Sequence, residues 1–124
     1  ELFEKCDGLL WPVRWHEPFG IAVIEAMAMG LPVISSAYGS LPELITPEVG
    51  ILCNNFSEFK EAIAKQSRKF DPVFLRKYVS EKFTSRIMAE NYLKLYEKVL
   101  KNGCLNSETP RYLSKEDPQK LLEF

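Results

Sequence analysis

The stretch Trp15-His16-Glu17-Pro18-Phe19-Gly20-Ile21-Ala22-Val23-Ile24-Glu25-Ala26-Met27-Ala28-Met29-Gly30 constrains this chain more than any other. From Phe19 to Gly30 it reads as a helix, and Glu25 is the only charged residue in it. A surface helix carries a polar face opposite its apolar stripe. This one is apolar all round, so it is expected to be packed on nearly every side. Burying even a neutral polar group without a partner costs roughly 2–7 kcal/mol, so a carboxylate at position 25 would need donors. Its neighbours at three- and four-residue spacing are Ile21, Ala22, Ala28 and Met29, and none supplies one. Glu17, eight residues earlier, stands in the turn that feeds the helix.

The start of this helix has its own chemistry. Pro18 presets the backbone for a first helical turn and has no amide to satisfy there. Gly20 carries no side chain, so a ligand can approach the backbone closely. The first amides of a helix lack intrahelical acceptors, and with the helix dipole they favour phosphate or another anion. Amides facing phosphate, with an acid two turns in facing hydroxyl groups, would suit a nucleotide sugar. An isolated pair of acids more often has a plainer role: Glu17 capping the helix, and Glu25 reaching solvent or a structural Arg.

The flanking residues place this helix in a fold. Leu9-Leu10-Trp11 reads as a short buried strand stopped by Pro12. Gly30 is expected as a left-handed cap, Pro32 bars continuation, and Val33-Ile34-Ser35 follows as a β-branched strand. Strand, helix and strand over this distance mean a parallel pair with a right-handed crossover. The helix then starts at the C-terminal edge of the sheet, where open α/β sheets bind ligands.

The loop Ser36-Ala37-Tyr38-Gly39-Ser40 lies on the same edge, with Gly39 supplying a positive φ or a close backbone approach. Pro42-Glu43 opens one helical turn; Glu43 fits a structural role as well as a functional one. Gly50-Ile51-Leu52-Cys53 reads as a third strand and Asn54-Asn55 as a turn. Ser57 is the expected N-cap of a helix whose face carries Phe59, Ile63, Gln66 and Phe70. Asp71-Pro72 begins another helix through Phe83. Thr84 caps a longer one with the stripe Met88, Tyr92, Leu95 and Val99, ended by Asn102-Gly103. Residues 103–124 have no sustained period and contain Pro110 and Pro118, so they read as a loosely attached tail behind a domain of residues 1–102.

A net charge of −1 over 124 residues gives no field to attract nucleic acid. Cys6, Cys53 and Cys104 are far apart without metal-ligand spacing, and His16 is the only histidine, which disfavours a metal site. Cys6 and Cys53 sit in apolar contexts and read as buried thiols of a reducing, cytoplasmic compartment. No apolar run approaches 18 residues, so no membrane span is expected. Arg14 reads as a phosphate contact or a solvated loop residue, and Trp15 as a stacking platform or packing beneath the loop. Glu1-Leu2-Phe3-Glu4-Lys5 already looks like the middle of a helix, so the chain is expected to be cut from something longer.

Glu17-Pro18-Phe19-Gly20, then Glu25-Ala26-Met27-Ala28-Met29-Gly30-Leu31-Pro32-Val33-Ile34, resembles the Glu-x7-Glu motif of retaining glycosyltransferases of family four. The likeness continues through Gly39-Ser40-Leu41-Pro42-Glu43, Gly50-Ile51-Leu52 and the closing Phe83-Thr84 and Tyr92–Tyr96 helices, to about residue 100. It implies an α/β fold, the Rossmann-like second domain of a GT-B enzyme with its opening part missing. The implied reaction transfers a sugar from a nucleotide-diphosphate donor with retention and without a metal or other cofactor. By the same resemblance Glu25 holds the donor ribose, and Glu17 is the catalytic residue, contacting hydroxyls of the transferred sugar near the reacting carbon. Phe19, Gly20 and Ile21 offer backbone amides to the sugar and phosphates. Val13 stands where family members often carry serine, so any contact from that hydroxyl is lost. The family's basic pair that clamps the diphosphate and its acceptor-binding first domain fall outside this chain, and the acceptor is unidentified. The alternative is a non-catalytic nucleotide-sugar-binding or interaction module on the same half-domain.

Overall fold

The computed structural model describes residues 2–65, 70–101, 103–106 and 108. After a 3-10 turn (Phe3–Lys5) come β1 (Leu9–Trp11), α1 (Ile21–Ala28), β2 (Val33–Ser36), α2 (Leu41–Leu44) and β3 (Gly50–Cys53). Helices α3 (Phe56–Lys65), α4 (Pro72–Lys82) and α5 (Ser85–Leu100) follow. The three strands form one parallel sheet in the order β1-β2-β3, with Leu9 opposite Val33 and Ile34 opposite Ile51. The expected α/β class holds.

Alternation along the strands divides the core between the two faces of the sheet. Val33 joins Val23, Ala26 and Met27 of α1 and Leu75, Tyr78 and Val79 of α4 in the larger cluster. Ile34 and Ile51 point the other way, onto Cys53, Phe59 and Ala62. The sheet is thus covered by α1, with α4 packed against α1, on one side and by α3 on the other. Arg76 of α4 donates to the Met29 carbonyl at 3.0 Å, which caps the C-terminal end of α1 with a cation. Gly30 follows with φ +84, the expected left-handed cap.

Several expectations need correction. α1 begins at Ile21, not Phe19, because Gly20 at its N-cap has φ +90 and ψ +55, outside the helical region. Pro18 therefore lies before the helix and does not occupy its first turn. Nor is α1 packed all round: Ile21 is 65% exposed, Met29 41%, and Glu25 is exposed as well. These residues share the face opposite Val23, Ala26 and Met27, so a solvated Glu25 needs no buried donors. The stripe Met88, Tyr92, Leu95 and Val99 of α5 is exposed too, since α5 buries no side chain among the described residues. Cys53 is buried as expected, whereas Cys6 is only half-buried and Cys104 exposed. Gln66 and most of 103–124 lie outside the described residues.

The cap of α3 also falls two residues earlier than expected. Asn55, not Ser57, accepts the Glu58 amide through its side chain at 2.9 Å. Glu58 reaches back to the Asn54 amide at 2.8 Å and to the Asn55 side-chain amide at 2.8 Å, a reciprocal capping box. The bond from the Asn54 backbone, followed by those from the Asn54 and Asn55 side chains, holds the Glu58 carboxyl below its ordinary value of 4.5. A depressed folded-state pKa adds stability that is complete above the unfolded value and is lost as pH falls through the folded one. Glu58→Gln should therefore flatten the acid limb of a melting-temperature profile below about pH 4.5 and leave its shape at neutral pH unchanged. An acid limb identical to wild type would remove Glu58 from this role.

Candidate functional site

Two loops leave the C-terminal ends of adjacent parallel strands and meet: residues 12–20 after β1, and 37–40 after β2. Buried hydroxyls fix the first of them to the sheet. Ser35 Oγ donates to the Trp11 carbonyl at 3.0 Å, and Ser36 Oγ to the Val13 carbonyl at 2.7 Å. Neither serine is legible in the sequence, because a small polar residue at the end of a strand carries no periodic signal.

Glu17 lies half-buried in the first loop, and Trp15 Nε1 donates to its Oε2 at 3.3 Å. The Trp15 ring is itself half-exposed, so it is not packed beneath the loop. The second loop holds the backbone of this segment. Ser40 donates its amide to the Glu17 carbonyl at 2.9 Å and its hydroxyl to the Phe19 carbonyl at 2.8 Å. Gly39, with φ +64, packs so closely that a Cβ there would come within 2.4 Å of the Glu17 nitrogen and oxygen. Both roles expected of Gly39 are therefore present. Phe19 stands edge-on to Phe83, with ring centroids 6.5 Å apart.

At Gly20 the chain turns into α1. The amides of Val23 and Ile24 return to the Gly20 carbonyl at 3.0 and 3.3 Å. Those of Gly20, Ile21 and Ala22 have no acceptor among the described residues. One turn on from Ile21, the Glu25 carboxylate has neither ion pair nor hydrogen bond among the described residues. The predicted residues thus fall into two groups: Glu17, Phe19 and Gly20 on a loop tied to Gly39-Ser40, and Ile21 with Glu25 on the open face of α1. Glu43 is exposed in the first turn of α2, whose last carbonyl, Leu44, accepts the Tyr78 hydroxyl at 3.0 Å.

A hollow of about 560 Å³ lies elsewhere, around the start of β3, lined by Ile45, Pro47, Glu48, Gly50, Ile51, Leu52 and Phe70. It sits away from both loops and collects no group of titratable side chains. No cluster of three metal-ligating side chains occurs among the described residues. No helix among them is long and apolar enough to cross a membrane.

Parallel strands with helices on both faces, and two loops meeting at their C-terminal edge, define a Rossmann-like architecture of the kind that binds nucleotides. The chain belongs to the glycosyl transferases group 1 family, whose profile matches residues 1–70. It is 42% identical over 97 residues to a probable sucrose-phosphate synthase of Thermosipho melanesiensis, covering 76% of this chain and 23% of that protein. The solved sucrose-phosphate synthase from Thermosynechococcus elongatus superposes with a TM-score of 0.54 at 32% identity, over 71% of this chain and 24% of that one. A glycosyltransferase from Rickettsia africae shares the fold, with a TM-score of 0.62 at 24% identity over 82% of this chain and 30% of its own. The chain spans about a quarter of the length of these relatives. The likeness supports the GT-B fold class expected from the motif residues.

Proposed function

We propose that this chain is the donor-binding part of a glycosyltransferase that moves a sugar from a nucleotide-diphosphate donor to an acceptor with retention at the anomeric carbon. The observation that carries this reading is the run of three acceptor-free amides, Gly20 to Ala22, at the start of α1. The Glu17 carboxylate lies on the loop just before them, and Glu25 on the exposed face one turn further. When the bond from the sugar to the diphosphate breaks, negative charge grows on the departing phosphate oxygens. Fixed amides and the positive end of a helix favour that charge and need no reorganisation as it forms. Phe19, Gly20 and Ile21 are assigned to the sugar and phosphates, Glu25 to the ribose hydroxyls, and Glu17 to the hydroxyls of the transferred sugar. The acceptor and the rest of the diphosphate clamp belong to parts of the protein outside this chain.

Glu25→Gln in the full-length protein tests the reading. Ribose is remote from the bond being broken, so its grip is mostly uniform binding. Losing charge-assisted hydrogen bonds should cost about 1.5–3 kcal/mol, or roughly 10- to 150-fold in the dissociation constant for the preferred nucleoside diphosphate among UDP, GDP and ADP. Turnover at saturating donor should change much less. An unchanged dissociation constant with collapsed turnover would refute the ribose assignment. A full-length protein that binds the donor without transferring sugar to any acceptor would be the non-catalytic module instead.

A further inference from the structure

Ser40 occupies the N-cap position of α2, where a serine hydroxyl ordinarily accepts an amide of the first turn. Here it makes no such bond. The backbone at Ser40 is already helical, with φ −75 and ψ −13, and the hydroxyl instead reaches back 21 residues to the Phe19 carbonyl at 2.8 Å. A side chain diverted from the cap of its own helix to a distant loop is holding that loop.

We propose that Ser40 is a positioning residue that aims the Gly20 amide at the donor phosphate; this rests on the donor-binding reading above and deepens it. The Phe19 carbonyl and the Gly20 N–H belong to one planar, trans peptide unit and therefore point in opposite directions. Drawing the carbonyl toward Ser40 turns the N–H away from it, and that N–H has no acceptor among the described residues. No other hydrogen bond among the described residues fixes this carbonyl and N–H. Gly20 tolerates either sign of φ, and Phe19 is half-exposed. The Ser40 amide, bound to the Glu17 carbonyl at 2.9 Å, fixes the same loop two residues earlier. One residue of the second loop thus holds both ends of the segment that presents Glu17 and the Gly20 amide.

The test compares ligands with and without phosphates. Full-length wild type, Ser40→Ala, Ser40→Thr and Glu25→Gln are titrated with UDP, GDP and ADP and with the matching nucleosides. Ser40→Ala should weaken the preferred diphosphate about 3- to 10-fold, since one oriented amide is lost. Its affinity for the parent nucleoside should stay within about twofold, and Ser40→Thr, which keeps the hydroxyl, should restore diphosphate binding. If Ser40→Ala does not fold, Ser40→Gly removes the hydroxyl without adding bulk and carries the same comparison. A merely structural role would weaken diphosphate and nucleoside together, and that result overturns the proposal. Wild type that binds none of the diphosphates removes the donor reading and this inference with it. Glu25→Gln losing nucleoside affinity while Ser40→Ala binds diphosphate normally removes this inference alone.

Discussion

Glu17→Ala in the full-length enzyme should lower turnover by about 100-fold or more while leaving nucleoside diphosphate binding nearly intact. Glu17 is half-buried on the loop that precedes α1, its carboxylate within 3.3 Å of the Trp15 indole nitrogen and its carbonyl bound by the Ser40 amide. If the diphosphate faces the amides of Gly20 to Ala22, the transferred sugar lies toward this loop. Charge then develops between that sugar and its leaving phosphate, so a carboxylate there acts on the transition state as well as on placement. Misplacing a reacting group by about 1 Å can cost on the order of 100-fold. In the proposed function the ribose and phosphate contacts are assigned to other residues, so the dissociation constant should hold. The competing account makes Glu17 a capping acid worth about 0.5–2 kcal/mol of stability. Gly20 rather than Glu17 occupies the N-cap of α1, however, and no side-chain cap bond is made there. Turnover and melting temperature of the mutant, measured together, decide between the two. A destabilised protein with normal turnover at low temperature would leave Glu17 only a structural role.

Much of this architecture is written in local chemistry that sequence patterns report well. Pro12, Gly30, Pro32 and the β-branched pair Val33-Ile34 mark where β1, α1 and β2 stop and start, because each acts through its own backbone preference. Asp71 and Thr84 are equally legible: both side chains accept the expected first-turn amide, from Val73 and Ile87. What fails is inference about the environment of a face. An all-apolar helix implies burial only if something covers every side, and α1 leaves Ile21, Glu25 and Met29 open. The same holds for α5. Its 3.6-residue stripe correctly predicts a helix but does not say what covers the stripe, which is exposed among the described residues. Local competition explains the other misses. Asn55 displaces Ser57 as a cap because Glu58 can bond back to Asn54 and Asn55 only from that register. Ser36 and Ser40 escape detection because their partners lie more than twenty residues away and depend on the fold.

The two glycines of the candidate site give the second large expected effect, since they are required for different reasons. At Gly20 a Cβ would meet nothing nearer than Leu41 and Leu44 at 3.4 Å, so φ +90 alone demands glycine. At Gly39 the dihedral is left-handed as well, but the added carbon would fall 2.4 Å from both the nitrogen and the oxygen of Glu17. Those are backbone atoms and cannot swing aside. A left-handed alanine costs roughly 1–2 kcal/mol, and forcing a methyl into a packed contact typically adds about 1–3 kcal/mol. Gly39→Ala should therefore destabilise the protein by about 2–5 kcal/mol, against about 1–2 kcal/mol for Gly20→Ala. Relief of the clash must push Glu17 and the loop outward, away from Ser40. The folded fraction of Gly39→Ala, assayed well below its melting temperature, should then also show turnover reduced on the order of 100-fold. Binding of the parent nucleoside, which the proposed function assigns to Glu25 on the far side of Gly20, should remain close to wild type. Denaturant unfolding gives the first quantity, and turnover normalised to folded protein gives the second. Gly39→Ala with stability and turnover both equal to those of Gly20→Ala would show that the contact between the two loops does not hold Glu17 in place.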